Sequence, residues 1–309
     1  MGTTAIIFYG LYFTKKTQSA ESNNHQEYAT VGLEVFKDIN KYERRTCKHL
    51  NGLRIILTFA SNEDYLELAR NNCRISIKQK GVDTCYVANM DYIDKKFYKQ
   101  NEHIFKVQIG AGKWIWKSYL ILKFLDEYVE KNDILFYIDA DFSLINPIDD
   151  VICLQHKKKE YISLFSQFQM ERMWTKGDHF VLMNLNSKDI ERMARTIQVY
   201  AGFVLIRKSI SSLRFLAEWA TYAQDGRLIL DEGSGLNLKP DYSDFKKPRN
   251  DQSIVSLLSK RWRILVWPNP RSYWMKPRAH TSNGTVFTAY EEMVINEMKP
   301  DWPLVKNDG

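Results

Sequence analysis

The residues best suited to chemistry are two aspartates, Asp139 and Asp141, which stand directly after the apolar run Ile134–Ile138. Two carboxylates one residue apart can reach a single hard cation, and Mn²⁺ and Mg²⁺ prefer such oxygen ligands. A metal held there would neutralise the charge that develops on a departing diphosphate. The pair therefore predicts a divalent-metal site for a phosphorylated substrate, although two carboxylates in an ordinary turn after a strand would have the same spacing.

A second group of candidate residues lies further along the chain. Asp251 and Gln252 open a segment with helical character, where a carboxylate could act as a general base or simply favour the N-terminus of a helix. Asp231 and Glu232 are rival acids in a Gly-rich stretch, which predicts either a loop over an acceptor or a surface turn. Trp174 could stack on a sugar ring, and packing in the core is the alternative role for its indole.

These residues must be positioned by alternating strands and helices. Strands are predicted at 4–13, 53–59, 84–88, 104–109, 134–138, 161–165, 199–206 and 263–267, and helices at 27–39, 65–71, 91–100, 114–130, 213–222 and 251–259. A helix between two apolar strands indicates a βαβ unit and a mostly parallel sheet, whose ligands bind at the carboxyl ends of strands. Asp139 and Asp141 stand at such an end. No P-loop and no GxGxxG motif follows the first strand, which disfavours kinases and Rossmann dehydrogenases.

The composition of the 309-residue chain is that of a globular protein, with 44% apolar and 26% charged residues. The net charge of +7 favours anionic partners, but Lys and Arg are scattered among acids, so no nucleic-acid partner is predicted. The apolar run 4–13 is shorter than the roughly 20 residues that span a bilayer. No transmembrane segment or signal peptide is therefore expected, and peripheral contact with a membrane stays open.

The four cysteines show no CxxC spacing, which disfavours a zinc ribbon and a thioredoxin motif. We expect them to be reduced and mostly buried, as in a cytoplasmic protein. They are Cys47, Cys73, Cys85 and Cys153.

Four segments resemble those of a known family. ILFYIDADFSLINPIDD at 134–150 resembles the DxD segment of GT-A-fold glycosyltransferases. GKWIWK at 112–117, QVYAGFV at 198–204 and RNDQS at 249–253 resemble further segments, in the same order, of such transferases acting on cell-surface and viral glycans. The resemblance extends over roughly residues 53–285.

For the donor, the resemblance implies a role for each matched position. The strand end at Thr58, Phe59 and Ala60 would face the nucleotide base. Asp139 would contact the ribose and the metal, and Asp141 would be the main metal ligand.

The resemblance also implies roles outside the DxD segment. Lys117 would approach the donor sugar or the diphosphate, and Lys276 would serve the diphosphate. His280 is the candidate third metal ligand, with an ordinary surface histidine as the alternative. Small side chains at Ala201 and Gly202 would let the acceptor approach, with Trp174 on the same acceptor side. Asp251 would be the general base of an inverting enzyme or, with Gln252, lie beside the sugar in a retaining one.

Together these features predict one α/β domain of the GT-A, Rossmann-like type over residues 1–309, with a central mixed, mostly parallel sheet flanked by helices. Its nucleotide-binding half would span about 50–150 and its acceptor-binding half about 151–309. The predicted activity is Mn²⁺- or Mg²⁺-dependent transfer of a hexose or pentose from a nucleotide-sugar, UDP-linked in the first instance, to a glycan hydroxyl. The alternatives are a haloacid dehalogenase-type phosphatase, a nucleotidyltransferase and a non-catalytic sugar- or nucleotide-binding module.

Overall fold

The structure is a computed structural model that describes residues 31–37, 50–144, 147–232, 235–267, 269 and 275–277. The strands are β1 (Leu33–Lys37), β2 (Arg54–Phe59), β3 (Thr84–Ala88), β4 (Ile134–Ile138), β5 (Phe142–Leu144), β6 (Ile162–Met170), β7 (Ile197–Arg207), β8 (Val266–Trp267) and β9 (Met275–Pro277). The longer helices are α1 (Glu63–Gln79), α5 (Trp116–Tyr128), α6 (Asp149–Lys157), α9 (Ser187–Ala194), α10 (Ile210–Ala223) and α12 (Asp251–Arg261). The short ones are α2 (Lys95–Gln100), α3 (Glu102–Phe105), α4 (Gly110–Lys113), α7 (Glu171–Trp174), α8 (Gly177–Leu182), α11 (Gly226–Ile229) and a 3-10 turn at Met90–Tyr92.

Within the described residues, seven strands form one sheet in the order β1-β3-β2-β4-β7-β6-β8. The pairs β3–β2, β2–β4 and β6–β8 are parallel, whereas β1 is antiparallel to β3, and β7 is antiparallel to both β4 and β6. Five strands therefore share one direction and two, β1 and β7, oppose it. The predicted mixed, mostly parallel sheet is confirmed.

Helices cover both faces of this sheet, as predicted. One apolar cluster contains side chains of α5, α10 and α12, and the other contains side chains of α1 and α6. Successive residues of β2 alternate between the two clusters, with Ile55 and Leu57 in the first and Ile56 in the second. Both faces of β2 are buried, and β4 is buried at all five residues, which explains why β4 is apolar throughout.

The predicted strand at 104–109 is wrong, because helix α3 and a turn occupy this segment. A short apolar run does not distinguish a strand from a buried helical turn. Gly110 and Gly112 then allow a turn in which all five residues of 110–114 have positive φ, between 48° and 91°. The left-handed region costs about 1–2 kcal/mol for each non-glycine residue there, so tertiary contacts must hold the turn.

The helix expected over 27–39 is also wrong where the structure describes it, since Leu33–Lys37 pairs with β3 as an edge strand. The predicted strand at 4–13 lies outside the described residues. None of the described helices combines the length and the apolar character needed to cross a bilayer.

The expectation of reduced cysteines is wrong for the three described ones. Cys73 on α1 and Cys85 on β3 form a disulfide with a Cα–Cα distance of 5.4 Å, and Cys153 is also disulfide-bonded. Cys47 lies outside the described residues. The 12-residue separation of Cys73 and Cys85 matches no sequence motif, and only the packing of α1 on the sheet brings them together.

Candidate active site

The two aspartates of the DxD segment lie in a tight turn at the carboxyl end of β4. The Asp139 amide donates to the carbonyl of Gly202 at 3.0 Å, and the Phe142 amide donates back to the carbonyl of Asp139 at 3.1 Å. The turn therefore ends β4 and starts β5, with Asp141 between them. This position, at the carboxyl end of a central strand, is where α/β sheets bind ligands.

Asn72 on α1 forms hydrogen bonds to the DxD turn. The sequence analysis did not single out this residue. Its buried amide nitrogen donates to the carbonyls of Ala140 (2.8 Å) and Phe142 (2.6 Å), which flank Asp141. Its amide oxygen accepts from the Ser143 hydroxyl. The one indication of this role in the sequence is that Asn72 is a polar residue on the buried side of a helix.

Lys117 on α5 places a buried ammonium group in the centre of the site. Its nitrogen lies 2.9 Å from Oδ1 of Asp139 and 3.5 Å from Oδ2 of Asp251. The Tyr137 hydroxyl donates to the same Asp139 oxygen at 2.7 Å. Burial acts to lower the pKa of Lys117, but the carboxylates of Asp139 and Asp251 outweigh it and raise the pKa above its usual value. Lys117 is therefore a permanent cation between two acids.

Asp251 is the first residue of α12, and its carboxyl group lies 3.5 Å from the Lys117 ammonium in the site. Its carboxyl group is buried, and burial raises its pKa to about 7. The Lys117 ammonium opposes this rise in pKa, whereas the Asp139 carboxylate adds to it. A carboxyl group with a pKa close to neutrality is suited to accept and release a proton.

Asp231 connects the left-handed turn at 110–114 to the residue before Asp251. One of its oxygens accepts from the Lys113 ammonium at 2.5 Å, and the other accepts from the Asn250 amide at 2.8 Å. Lys113 and Asn250 both have a positive φ, of 54° and 47°, so Asp231 bonds the side chains of two residues with strained backbone. Partial burial acts to raise the pKa of Asp231, but the bonds from Lys113 and Asn250 lower it. Asp231 lies in an exposed turn, as one of its two interpretations predicted, and the loop over an acceptor stays a prediction.

Gly202 on β7 makes room for Asp139. A Cβ atom at this position would lie 2.6 Å from Oδ2 of Asp139 and 2.4 Å from Cε1 of Tyr200. Its neighbour Ala201 is buried in the core. In the structure, the glycine at 202 leaves space for Asp139, which is a candidate metal ligand. Its predicted role toward an acceptor stays a prediction.

The predicted nucleotide-binding residues lie at the end of β2 and are all buried. Thr58 and Asp139 line the same small cavity. Phe59 stacks on Trp116 with ring centroids 3.8 Å apart, and the Ala60 amide pairs with the carbonyl of Ala88. One face of the Phe59 ring is therefore already occupied by the indole of Trp116.

Trp174 packs inside the protein, as the alternative of core packing predicted. It is buried, and the Arg249 guanidinium lies 4.3 Å from its ring centroid, with the Lys246 ammonium at 5.8 Å. Its carbonyl accepts from the hydroxyl of Ser253 on α12 at 2.8 Å. Its predicted contact with an acceptor stays a prediction.

The C-terminal candidates are described only in part. Lys276 lies on β9, which pairs with β5 so that Lys276 stands opposite Ser143, two residues after Asp141. His280 lies outside the described residues. In the described part of the chain, no group of three or more His, Cys, Asp or Glu is arranged to hold a metal. The two carboxylates of the DxD turn still fit Mn²⁺ or Mg²⁺, which accept oxygen ligands and fill other positions with water and phosphate.

No protein-family model and no curated protein matches the chain. Several solved structures show a distant likeness. The apo form of mouse xyloside xylosyltransferase 1 aligns with a TM-score of 0.39 and 9% identity over 71% of this chain and 86% of that one. A glycosyltransferase involved in glycosylating the major capsid of PBCV-1 aligns with a TM-score of 0.38 and 11% identity over 79% and 91%. The galactosyltransferase LgtC aligns with a TM-score of 0.35 and 15% identity over 71% and 74%. All three TM-scores lie below 0.5, so these likenesses carry no argument about function.

Proposed function

We propose that this chain is a metal-dependent GT-A glycosyltransferase that moves a sugar from a nucleoside diphosphate-sugar, UDP-linked in the first instance, to a glycan hydroxyl. The observation that carries the proposal is the row Asp139, Lys117 and Asp251, with Asp141 in the adjoining turn. It combines oxygen ligands for a cation, a buried positive charge and a carboxyl group with a pKa near neutrality. A cation site and a buried positive charge suit a departing diphosphate, and a carboxyl group with such a pKa suits an acceptor hydroxyl that must lose its proton.

On the donor side, Asp139 and Asp141 would hold Mn²⁺ or Mg²⁺, with His280 as the proposed third ligand. The bound ion would neutralise charge on the departing diphosphate. Lys117 would attract the anionic donor, because a buried ammonium group interacts strongly with anions in a poorly hydrated site. The strand end at 58–60 and Lys276 remain the proposed contacts to the base and the diphosphate.

On the acceptor side, Asp251 would accept the proton of the attacking hydroxyl if the configuration of the sugar inverts. If the configuration is retained, Asp251 and Gln252 would instead face the sugar and stabilise positive charge on it. The proposal keeps one domain over residues 1–309, with Ala201, Gly202 and Trp174 in the acceptor-binding half.

The phosphatase alternative requires Asp139 to attack phosphorus as a nucleophile. In the structure, Tyr137 and Lys117 both bind Oδ1 of Asp139, and Lys117 also lies 3.3 Å from Oδ2. Hydrogen bonds from an ammonium group and a hydroxyl make a carboxylate less nucleophilic, which disfavours this alternative.

The proposal is tested by thermal shift with UDP- and GDP-linked sugars, with and without Mn²⁺. A donor at 100 times its Kd stabilises the folded state by about 2.7 kcal/mol. We expect one donor to raise the Tm only with Mn²⁺, and Asp141→Ala to abolish this rise while its own Tm stays near that of the unliganded protein. Asp141 is a cleaner probe than Asp139, whose removal would also leave buried Lys117 without its nearest partner.

The control is Glu130→Ala, which removes an exposed carboxylate elsewhere and should keep the donor response. An unchanged response in Asp141→Ala would contradict the metal assignment. A response to Mg²⁺ with a phosphate analogue, and to no nucleotide-sugar, would favour the phosphatase.

A further inference from the structure

A buried row of polar side chains leads from Gln252 into the core. Gln252 contacts Gln167 and Gln198, Gln198 contacts Glu171, and Glu171 forms an ion pair with Lys260. We call these five residues the amide relay. The three glutamines and Glu171 are all buried, and burying polar groups in a core is costly unless they are fully paired. Such a row inside a core therefore calls for an explanation beyond packing.

The inner end of the amide relay has a fixed polarity. The Lys260 ammonium can only donate hydrogen bonds, and the Glu171 carboxylate can only accept them. Glu171 also accepts from the hydroxyls of Thr175 and Ser256. Every group around the carboxylate is thus a donor, so Glu171 is held as an acceptor.

This polarity determines the orientation of Gln198. Its amide nitrogen faces Oε1 of Glu171 (3.3 Å), Oγ1 of Thr175 (3.3 Å) and Oγ of Ser253 (3.4 Å). The Thr175 proton is directed at Glu171, and the Ser253 proton is directed at the carbonyl of Trp174. A reversed Gln198 would point its carbonyl oxygen at three oxygen atoms without an available proton, which electrostatic repulsion forbids.

The orientation of Gln198 in turn determines that of Gln252. The carbonyl oxygen of Gln198 accepts from the amide nitrogen of Gln252 at 2.6 Å, and the carbonyl oxygen of Gln167 accepts from the same nitrogen at 2.6 Å. Both N–H groups of Gln252 are therefore used inside the protein. Within the described part of the chain, no group donates a hydrogen bond to its carbonyl oxygen.

We infer that the Lys260–Glu171 ion pair, acting through Gln198, sets the amide of Gln252 so that its carbonyl oxygen, and not its NH₂ group, faces the donor sugar beside Asp251. The inference rests on the proposed function. Sugar transfer passes through a transition state with positive charge on the sugar ring. The negative end of a fixed carbonyl dipole stabilises that charge, and an NH₂ group in its place would oppose it. Glu171, Gln198 and Lys260 are thus positioning residues.

The test removes the polarity and keeps the volume. The double variant Glu171→Met and Lys260→Met replaces the ion pair by unbranched apolar side chains, a change that cores often tolerate. The Thr175 proton is then available to Gln198, and both glutamines can reverse. We expect kcat to fall about tenfold or more, with the donor KM unchanged. Gln198→Met leaves the ion pair intact, and it should likewise lower kcat and leave the donor KM unchanged.

A second readout does not depend on turnover. The side-chain NH₂ signal of Gln252 can be assigned in ¹⁵N-glutamine-labelled protein by its loss in Gln252→Glu. In the wild type this NH₂ group is doubly bonded and should exchange slowly with solvent, whereas in the double variant its exchange should become fast.

The matched control is the double variant Arg54→Met and Asp149→Leu, which removes another buried ion pair, one between β2 and α6. It should keep both kcat and slow Gln252 exchange. The inference is overturned if the Glu171/Lys260 variant also keeps kcat, or if its kcat falls while the exchange stays slow. A wild type without turnover on any donor would refute the proposed function instead, and the exchange measurement would still decide the orientation of Gln252.

Discussion

At position 202, the absence of a side chain leaves room for the Asp139 carboxylate in the turn after β4. The carbonyl of Gly202 holds the Asp139 amide, and its hydrogen atom faces Oδ2 of Asp139. The glycine is not needed for unusual backbone dihedrals, because its φ is not positive. Its role is close approach, which permits Asp139 to lie between β4 and β7.

We therefore expect Gly202→Ala to displace the Asp139 carboxylate. Loss of such a supporting contact should weaken Mn²⁺ binding about 10- to 100-fold. Isothermal titration with Mn²⁺ and a donor nucleotide measures this change. Gly226→Ala is the control, because a Cβ atom there would meet its nearest neighbour at an ordinary 3.5 Å. Equal Mn²⁺ affinities in both variants would show that Asp139 does not need the space at position 202.

Helix α1, which precedes the β4–β5 connection by some distance in the sequence, supports the DxD turn. Asn72 bonds the turn, and its neighbour Cys73 is joined to β3 by the disulfide to Cys85. The helix is thus fixed to the sheet one residue away from the side chain that positions the turn. A displacement of α1 would be transmitted to Asp141 through the Ala140 and Phe142 carbonyls.

Asn72→Leu tests this support with a side chain of similar shape. The carbonyls of Ala140 and Phe142 lose their donor, so the free energy of unfolding should decrease by about 1–3 kcal/mol. Mn²⁺ affinity should decrease as well, by about 10- to 100-fold. Urea unfolding and Mn²⁺ titration measure the two effects.

Glu67→Gln serves as control on the same helix, since this side chain is 69% exposed. A loss of stability in Asn72→Leu with normal Mn²⁺ affinity would mean that α1 supports the fold and not the metal site.

At the scale of the whole molecule, disulfide bonds bear on the predicted cytoplasmic location of the protein. Disulfides persist in oxidising compartments and are rare in the cytosol. The cytoplasmic location was predicted from cysteines read as reduced, and the Cys73–Cys85 bond removes that basis.

Global stability should depend on pH through His179. Its ring is buried on α8, and burial, aided by the charge of Lys176, lowers its pKa from 6.5 to about 4. Between pH 6.5 and 4 the unfolded chain binds the extra proton, so stability decreases as the pH falls through this window. The difference amounts to about 3 kcal/mol. In His179→Phe this part of the acid destabilisation should disappear.

Urea unfolding at a series of pH values from 7 to 4 measures the effect. His103→Phe is the control, because the side chain of His103 is exposed. Identical slopes for wild type and His179→Phe would show that folding does not lower the pKa of His179.

The amino-acid sequence was sufficient for features that depend on neighbours along the chain. Apolar runs gave β2 and β4, and the acidic pair after β4 gave the carboxyl end of the sheet where the candidate site lies. Asp251 was also recognisable, because it stands at the start of a helical pattern. Each of these signals needs only a few adjacent residues and the period of a strand or helix.

Contacts between distant segments required the folded chain. Asn72 bonds a carbonyl 68 residues away, Gln252 bonds Gln167 over 85 residues, and the Cys73–Cys85 bond follows no motif. Local patterns contain no information about which helix packs on which strand. The side chains that hold the site in shape therefore emerge only when burial of both faces of the sheet brings α1, α5 and α12 together around β4 and β7.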